Sequence, residues 1–226
     1  MLGNGPSRRD QHAEDTRRAI LAAARQAFAR DGYANTSLEA ITALARLTKG
    51  ALYHHFESKA ALLKAVYIEM ETEMAGKVMA AVASSRGGAW DCMLTAVDAF
   101  LAASAEPAYV RIVLRDAPPV LGWHKGREID QEIGLGLVVE LVAALRDDGI
   151  LRPLSVTTTA RVLLAAASEV AIAMAHADDP ATTRAEGTAV LVALLEGLRI
   201  APPAPPARRA SQRPARRRPS GIAQRR

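Results

Sequence analysis

A chain of 226 residues, half of them apolar and only 4% aromatic, is long enough to bury a real core in one or two domains and leans towards helices. Its single cysteine, Cys92, excludes an intramolecular disulfide framework and fits a reducing cytoplasm. The net charge of +5 is unevenly spread: residues 1–66 carry ten Lys and Arg against six Asp and Glu, residues 67–200 eleven against eighteen, and residues 201–226 eight Arg and no acid.

The opening stretch MLGNGPSRRDQHAEDTRR has basic residues without an apolar core, which is not the pattern of a signal peptide. Residues 1–14 read as a flexible arm. A first helix is expected from about Asp15 to Arg30, with Ile20, Ala24, Ala27 and Phe28 on one face and Asp31-Gly32 closing it. TSLE then reads as a capping box, with Thr36 at the N-cap and Glu39 reaching back. The second helix is short, with a buried run of Leu38, Ile41, Leu44 and Ala45. A third occupies about Thr48 to Phe56, and Ser58 caps a long fourth that turns Leu62, Leu63 and Val66 inward. Three short helices, the last two joined by a tight turn, make a helix-turn-helix.

From Ala89 to about Arg199 five more helical segments are expected around Pro107, Pro118-Pro119, Pro153 and Pro180. The last two run from about Val156 to Ala177 and from Ala181 to Arg199. The first of these carries a stripe of Val162, Ala166, Val170 and Met174. The second contains AVLVALLEGL and is apolar nearly all round, so it is either central or covered by a second subunit. The run Val162–Ala177, interrupted by Ser168 and Glu169, is too short for a membrane span. The Pro- and Arg-rich stretch 201–226 has no apolar periodicity and is expected to be a disordered basic tail.

The densest chemistry lies in LTKGALYHHFESK, Leu47 to Lys59. With Thr48 at zero on a helical wheel, Leu52, Phe56 and His55 cluster on one side. Lys49, Gly50, Tyr53 and His54 fall on the opposite arc. A metal site does not fit, because the adjacent histidines diverge by about 100° and no Cys, Asp or Glu accompanies them at ligand spacing. Catalysis does not fit either: there is no nucleophile elbow, no phosphate loop and no carboxylate partner for an imidazole. No cofactor or metal is implied, and the chain does not read as an enzyme.

A DNA-reading helix accounts for more of the residues. Gly50 lets the backbone approach a duplex, Lys49 can reach a base edge or phosphate, and Tyr53 and His54 supply donors and ring surface. Lys59, in the first turn of the fourth helix, opposes the helix dipole, which makes sense if ammonium and helix start meet one phosphate. Thr36 or Ser37 could add a second phosphate contact.

The stretch GYANTSLEAITALARLTKGALYHHFESKAALLKAV, Gly32 to Val66, resembles the DNA-binding domain of the TetR/AcrR family of bacterial transcriptional regulators, most specifically in KGALYHHF.SK and in the preceding AFARDGY. The resemblance covers about residues 15–66. It implies an all-α homodimer of about nine helices, with a three-helix head and a C-terminal ligand-binding and dimerisation domain over residues 67–200. The family usually represses transcription and leaves a double-stranded DNA operator when a small molecule binds. By position, its DNA contacts fall on Thr36, Ser37, Thr48, Lys49, Gly50, Ala51, Tyr53, His54, His55 and Lys59. Ala51 could at most touch a thymine methyl. Arg46 stands where the family more often has glycine; at positive φ it costs on the order of 1 kcal/mol, and a phosphate contact from Arg46 would offset this.

In the larger domain, Tyr109–Asp130 resembles a recurring stretch of one group of these regulators and is expected to form a short helix, a Pro-Pro break and the start of a long helix. Candidate pocket residues are Met93, Tyr109, Trp123, His124 and Met174, each of which has an ordinary core role as the competing reading. Arg111, Arg115 and Arg127 could meet an acidic ligand or pair with Asp116, Glu128 and Asp130. By analogy, Val162, Ala166, Val170 and Met174 would form a four-helix dimer interface with Val190, Leu191, Leu194, Leu195 and Leu198, placing two recognition helices ~34–36 Å apart on a pseudo-palindromic site. The expectation is a cytoplasmic, ligand-responsive dimeric repressor without membrane association. Two rivals stand beside it: an effector-independent architectural or activating DNA-binding protein that relies on the Arg-rich tail, and a small helical enzyme with a cavity in residues 90–177, for which no catalytic set is present.

Overall fold

The computed structural model describes residues 8–200. The Arg-rich tail and the first seven residues lie outside them, as do the expectations placed there. The elements are α1 (Arg8–Asp31), α2 (Leu38–Ala45), α3 (Lys49–His55), α4 (Lys59–Ser84), α5 (Ala89–Ser104), α6 (Pro107–Tyr109), a π-helical run (Val110–Asp116), α7 (Ala117–Leu121), α8 (Trp123–Asp147), α9 (Val156–His176) and α10 (Pro180–Leu198). The segments from Pro107 to Leu121 follow without a break, so the described residues form nine helical bodies. The only β pairing among them is an isolated bridge between Leu151 and Arg199.

The first helix begins at Arg8 rather than Asp15, so residues 8–14 are helical and not part of an arm. These two turns bury no apolar side chain, which hid them from pattern reading, but they are built from good helix formers with Asp10 in the first turn. Further along, Ile20, Ala24, Ala27 and Phe28 face inward as expected. With Ile41 of α2, Leu52 of α3, and Leu62, Leu63 and Val66 of α4 they form the core of the head. Leu44, expected in the buried run, is exposed, because eight residues of helix cannot turn every apolar position inward.

The cap of α2 is shifted by one residue from the expectation. Ser37 is the N-cap and accepts from the Ala40 N–H at 3.1 Å. Thr36 is buried, donating its hydroxyl to the Gly32 carbonyl at 2.7 Å, and Glu39 is spent on Lys49 instead of closing a capping box. Thr48 and Ser58 cap α3 and α4 in the same way, accepting from the Ala51 and Ala61 N–H groups.

The helix α4 runs 26 residues, about 39 Å, from the head core into the larger domain. The boundary expected at residue 66 therefore falls inside one helix. Beyond it, α5 packs back along α4, and α8, α9 and α10 complete the body. The Pro118-Pro119 pair does not break the chain. It sits in α7 directly after the π-helical run, where Ala117 N–H bonds to the Ile112 carbonyl five residues back. The widened turn makes room for the proline rings, and the break comes later, at Gly122 with φ +87°. Between α9 and α10 the backbones close up at Gly187, where a Cβ would lie 2.3 Å from Val170 Cγ1.

Of the expected interface residues, Met174 and Leu191 are interior, packed with Leu101 of α5, and Leu195 joins the main core. They are the inward side of helices whose outward side leaves Val162, Val190 and Leu194 at 60%, 57% and 47% exposure. The α9 helix spans 21 residues and is, by length and composition, apolar enough to cross a membrane, longer than the run expected from sequence. Here it packs between α8 and α10 and carries Arg161 and Glu169.

Arg46 caps α2 in the left-handed region at φ +57°, ψ +40°, the one non-glycine residue of positive φ among those described. Its side chain is exposed and makes no ion pair that offsets the strain. Arg46→Gly is therefore expected to stabilise the protein by about 0.5–1 kcal/mol, the left-handed penalty less the added glycine entropy, read as a higher urea midpoint.

Candidate functional site

The α3 helix is seven residues long and is held by two anchors, Leu52 fully buried and Phe56 nearly so. The opposite arc is exposed at Lys49, Gly50, Tyr53 and His54, with Tyr53 at 48%. This is the arrangement the wheel indicated. Lys49 Nζ lies 2.6 Å from Glu39 Oε1 and 6.0 Å from the Tyr53 ring centroid. The carboxylate raises the lysine above its ordinary pKa, and the lysine hydrogen bond holds Glu39 below the usual range. His55 is half-buried, between the exposed His54 ring at 5.3 Å and Phe56 at 6.5 Å. No group of three His, Cys, Asp or Glu among the described residues could hold a metal ion.

Two expected phosphate contacts have other work. Thr36 is sealed beneath the α1–α2 loop by its hydroxyl bonds to Gly32 and Ala27. Lys59 donates to the carbonyls of Tyr33 and Thr36 at 2.8 and 2.9 Å and sits 4.2 Å from the Tyr33 ring centroid. Its charge at the start of α4 is thus offset by two loop carbonyls and an aromatic face. Ser37 and Arg46 remain exposed, and Ala51 is half-buried. A cation missed from sequence, Arg17, lies 4.9 Å over the Phe56 ring and brings α1 beside the end of α3.

The body holds a cavity of about 190 Å³ walled by α4, α5, α8, α9 and the helical run from Tyr109 to Leu121. Most of its lining is apolar. Met93, Tyr109 and Trp123 line it, whereas His124 and Met174 do not. The His124 side chain is 93% exposed and lies 3.4 Å from Glu128, one helical step round from Trp123. Met174 points the other way, into the α5–α10 contact. Arg111 and Arg115 also point away. Arg111 pairs with Asp116 at 3.5 Å and donates to the Asp31 carbonyl, and Arg115 donates to the Ala175 carbonyl at the end of α9.

Apart from Tyr109, the polar groups of the wall were not recognised from the sequence as cavity residues. Tyr109 donates to Glu71 Oε1 at 2.5 Å, and Tyr67 donates to Asp130 Oδ1 at 2.7 Å. Burial, and then the neighbouring Asp130, push Glu71 up to about 8, and burial raises Asp130. Both phenols are driven upward by burial and by these carboxyls. The signal was available: Tyr67, Glu71, Met74 and Val78 recur at helical spacing, which puts an acid on an otherwise apolar, inward stripe.

A helix-turn-helix head rigidly joined to a helical body with an apolar cavity defines a class of DNA-binding regulator. Residues 20–66 match the family described as bacterial regulatory proteins, tetR family, and residues 90–198 match the tetracyclin repressor-like C-terminal domain. A crystallographic TetR-family transcriptional regulator from Pectobacterium atrosepticum superposes with a TM-score of 0.76 at 34% identity, covering 87% of this chain and all of that one. The Transposon Tn10 TetC protein of Escherichia coli is 26% identical over 135 residues, 60% of this chain and 68% of that protein. The HTH-type transcriptional repressor Rv1474c of Mycobacterium tuberculosis is 38% identical over 97 residues, 42% of this chain and 49% of that protein. The chain belongs to the TetR family of transcriptional regulators. These proteins bind DNA operators, act as dimers and are not enzymes.

The buried carboxyl has a stability signature. Glu71 binds its proton more tightly folded than unfolded, with the folded value near 8 against an ordinary 4.5. Its contribution is complete below about 4.5 and is lost as pH rises through about 8. Unfolding free energy should therefore fall by on the order of a few kcal/mol across that window. Glu71→Gln should remove most of the slope, leaving the smaller part due to Asp130, in urea titrations at stepped pH.

Proposed function

We propose that this chain is a ligand-responsive repressor: a homodimer that reads a pseudo-palindromic operator through α3 and leaves it when a small molecule fills the cavity. The observation that carries the reading is the helical run from Pro107 to Leu121. Its inner side walls the cavity with Tyr109, Val113 and Leu114. Its outer side grips the head, with Asp116 Oδ2 accepting from the Tyr33 N–H at 2.7 Å and Arg111 donating to the Asp31 carbonyl at 3.2 Å. A molecule that displaces this run cannot do so without pulling on the α1–α2 loop, to which Lys59 and α4 are also tied. Occupancy and head position are thus linked through one contiguous set of contacts.

Dimerisation is assigned to the outward side of α9 and α10. Val162, Val190 and Leu194 form an apolar surface that a lone chain would leave in water, and the small residues Ala165, Ala173 and Ala193 beside them permit close approach.

Two measurements test this. Lys49→Ala and Tyr53→Ala should each abolish the operator gel shift while the size-exclusion profile stays dimeric; normal affinity in either variant overturns the assignment of α3. Asp116→Ala should bind a co-purifying small molecule, identified by native mass spectrometry, as tightly as wild type. Its release from the operator by that molecule should need at least about fivefold more, the low end of ordinary allosteric coupling. Unchanged release would exclude the Pro107–Leu121 run as the link.

A further inference from the structure

The polar chemistry inside the cavity is one-sided. Among the residues facing Glu71 are Tyr67 on its own helix, Tyr109 from the Pro107–Leu121 run and Asp130 from α8, and none of them is a cation. Arg127, Arg161 and Glu169 line the same cavity but occupy exposed positions, and Arg127 acts on Asp130 rather than on Glu71. Glu71 Oε1 takes the Tyr109 hydroxyl, and its second oxygen has no hydrogen bond to the described residues. Among the described residues no buried side-chain oxygen or nitrogen lacks a partner, so this second oxygen opens on the cavity space.

We propose that the cavity takes an apolar molecule bearing one protonated amine, with the ammonium seated on the free oxygen of Glu71. The proposal rests on the ligand-responsive reading above and names the chemistry of its ligand. A carboxyl walled by Met74, Val78, Met93 and Phe100 is costly to ionise unless a cation joins it. An ammonium supplies that cation and up to three donors, one of which meets Glu71 directly. The apolar remainder of the molecule lies against the methionine, phenylalanine, leucine, isoleucine, valine and alanine side chains that make up most of the wall. An anionic ligand would set its charge beside Asp130 and oppose any ionisation of Glu71. A neutral one would leave the carboxyl protonated and gain at most a hydrogen bond.

Proton linkage follows from the same geometry. Glu71 is pushed up to about 8 by burial and by Asp130, so near neutral pH it holds a proton that an arriving ammonium displaces. Amine affinity should therefore climb by up to about tenfold per pH unit below about 8 and level off above it.

The test is calorimetric titration of the full-length protein with three molecules of one apolar body: phenylbutylamine, phenylbutanol and phenylbutyrate. The amine is expected to bind at least about tenfold tighter than the alcohol, to release a proton at pH 7 when measured in two buffers of different ionisation enthalpy, and to lose its advantage in Glu71→Gln. The alcohol should bind Glu71→Gln as it binds wild type. An alcohol or carboxylate that binds wild type as tightly as the amine overturns the ammonium assignment and leaves the occupied cavity standing, as does an amine preference that survives Glu71→Gln. Binding by none of the three removes the cavity reading as well. Should Glu71→Gln fail to fold, the proton release and pH profile of the wild-type protein decide, since a merely structural Glu71 would release nothing.

Discussion

The architecture depends on α4 being one unbroken helix. Its first turns complete the head core through Leu62, Leu63 and Val66, and its middle turns wall the cavity through Tyr67, Glu71 and Met74. A single helix thus carries both part of the head core and part of the cavity wall. No glycine or proline interrupts the helix between Lys59 and Ala75, the stretch that spans both regions. The junction is then finished by short-range polar contacts: Lys59 to the loop carbonyls, and Asp116 to the Tyr33 amide. Gly32 belongs to the same junction, since its φ of +81° needs glycine and a Cβ there would collide with the Arg111 guanidinium.

The π-helical run shows how local strain can serve position. A π turn is poorer in packing than an α turn and tends to persist where something else requires it. Here the following proline pair and the need to aim Arg111, Arg115 and Asp116 at three different neighbours both favour the wider turn. Arg115 ties the run to the end of α9, Arg111 to the end of α1, and Asp116 to the α1–α2 loop. Seven residues thus touch the head, one of the helices assigned to the dimer, and, through Val113 and Leu114, the cavity.

Much of the head was legible because it follows two simple periodicities. The apolar spacing of Ile20, Ala24, Ala27 and Phe28 marked the α1 face, and the wheel separated Leu52 and Phe56 from Lys49, Tyr53 and His54. What escaped was chemistry that depends on which neighbour arrives first. Thr36 and Ser37 are both competent caps, and only the burial of Thr36 under the loop decides between them. Lys59 looked like a charge waiting for phosphate, yet the carbonyls it meets come from residues 23 and 26 positions earlier in the chain. Met174 and Leu191 were indistinguishable from Val162 and Val190 on an all-apolar helix, since periodicity does not say which side meets α5 and which meets solvent. Tyr67 and Glu71 were legible in principle and were passed over, because an acid within an apolar stripe reads as noise until a cavity gives it an address.

Electrostatics complete the account of the recognition surface. In the free protein Lys49 is held by Glu39, and both groups are exposed, so the pair is screened and adds little to stability. That weakness suits a contact that must be exchanged. A duplex brings closely spaced phosphates, and displacement of their counterions drives binding without any need for a preformed lysine geometry. Glu39 keeps the ammonium near the start of α3, 6.0 Å from the Tyr53 ring centroid. The acidic body contributes in the opposite sense. Residues 67–200 carry an excess of seven acidic groups, which disfavours the body and favours the basic head as the side that meets a polyanion.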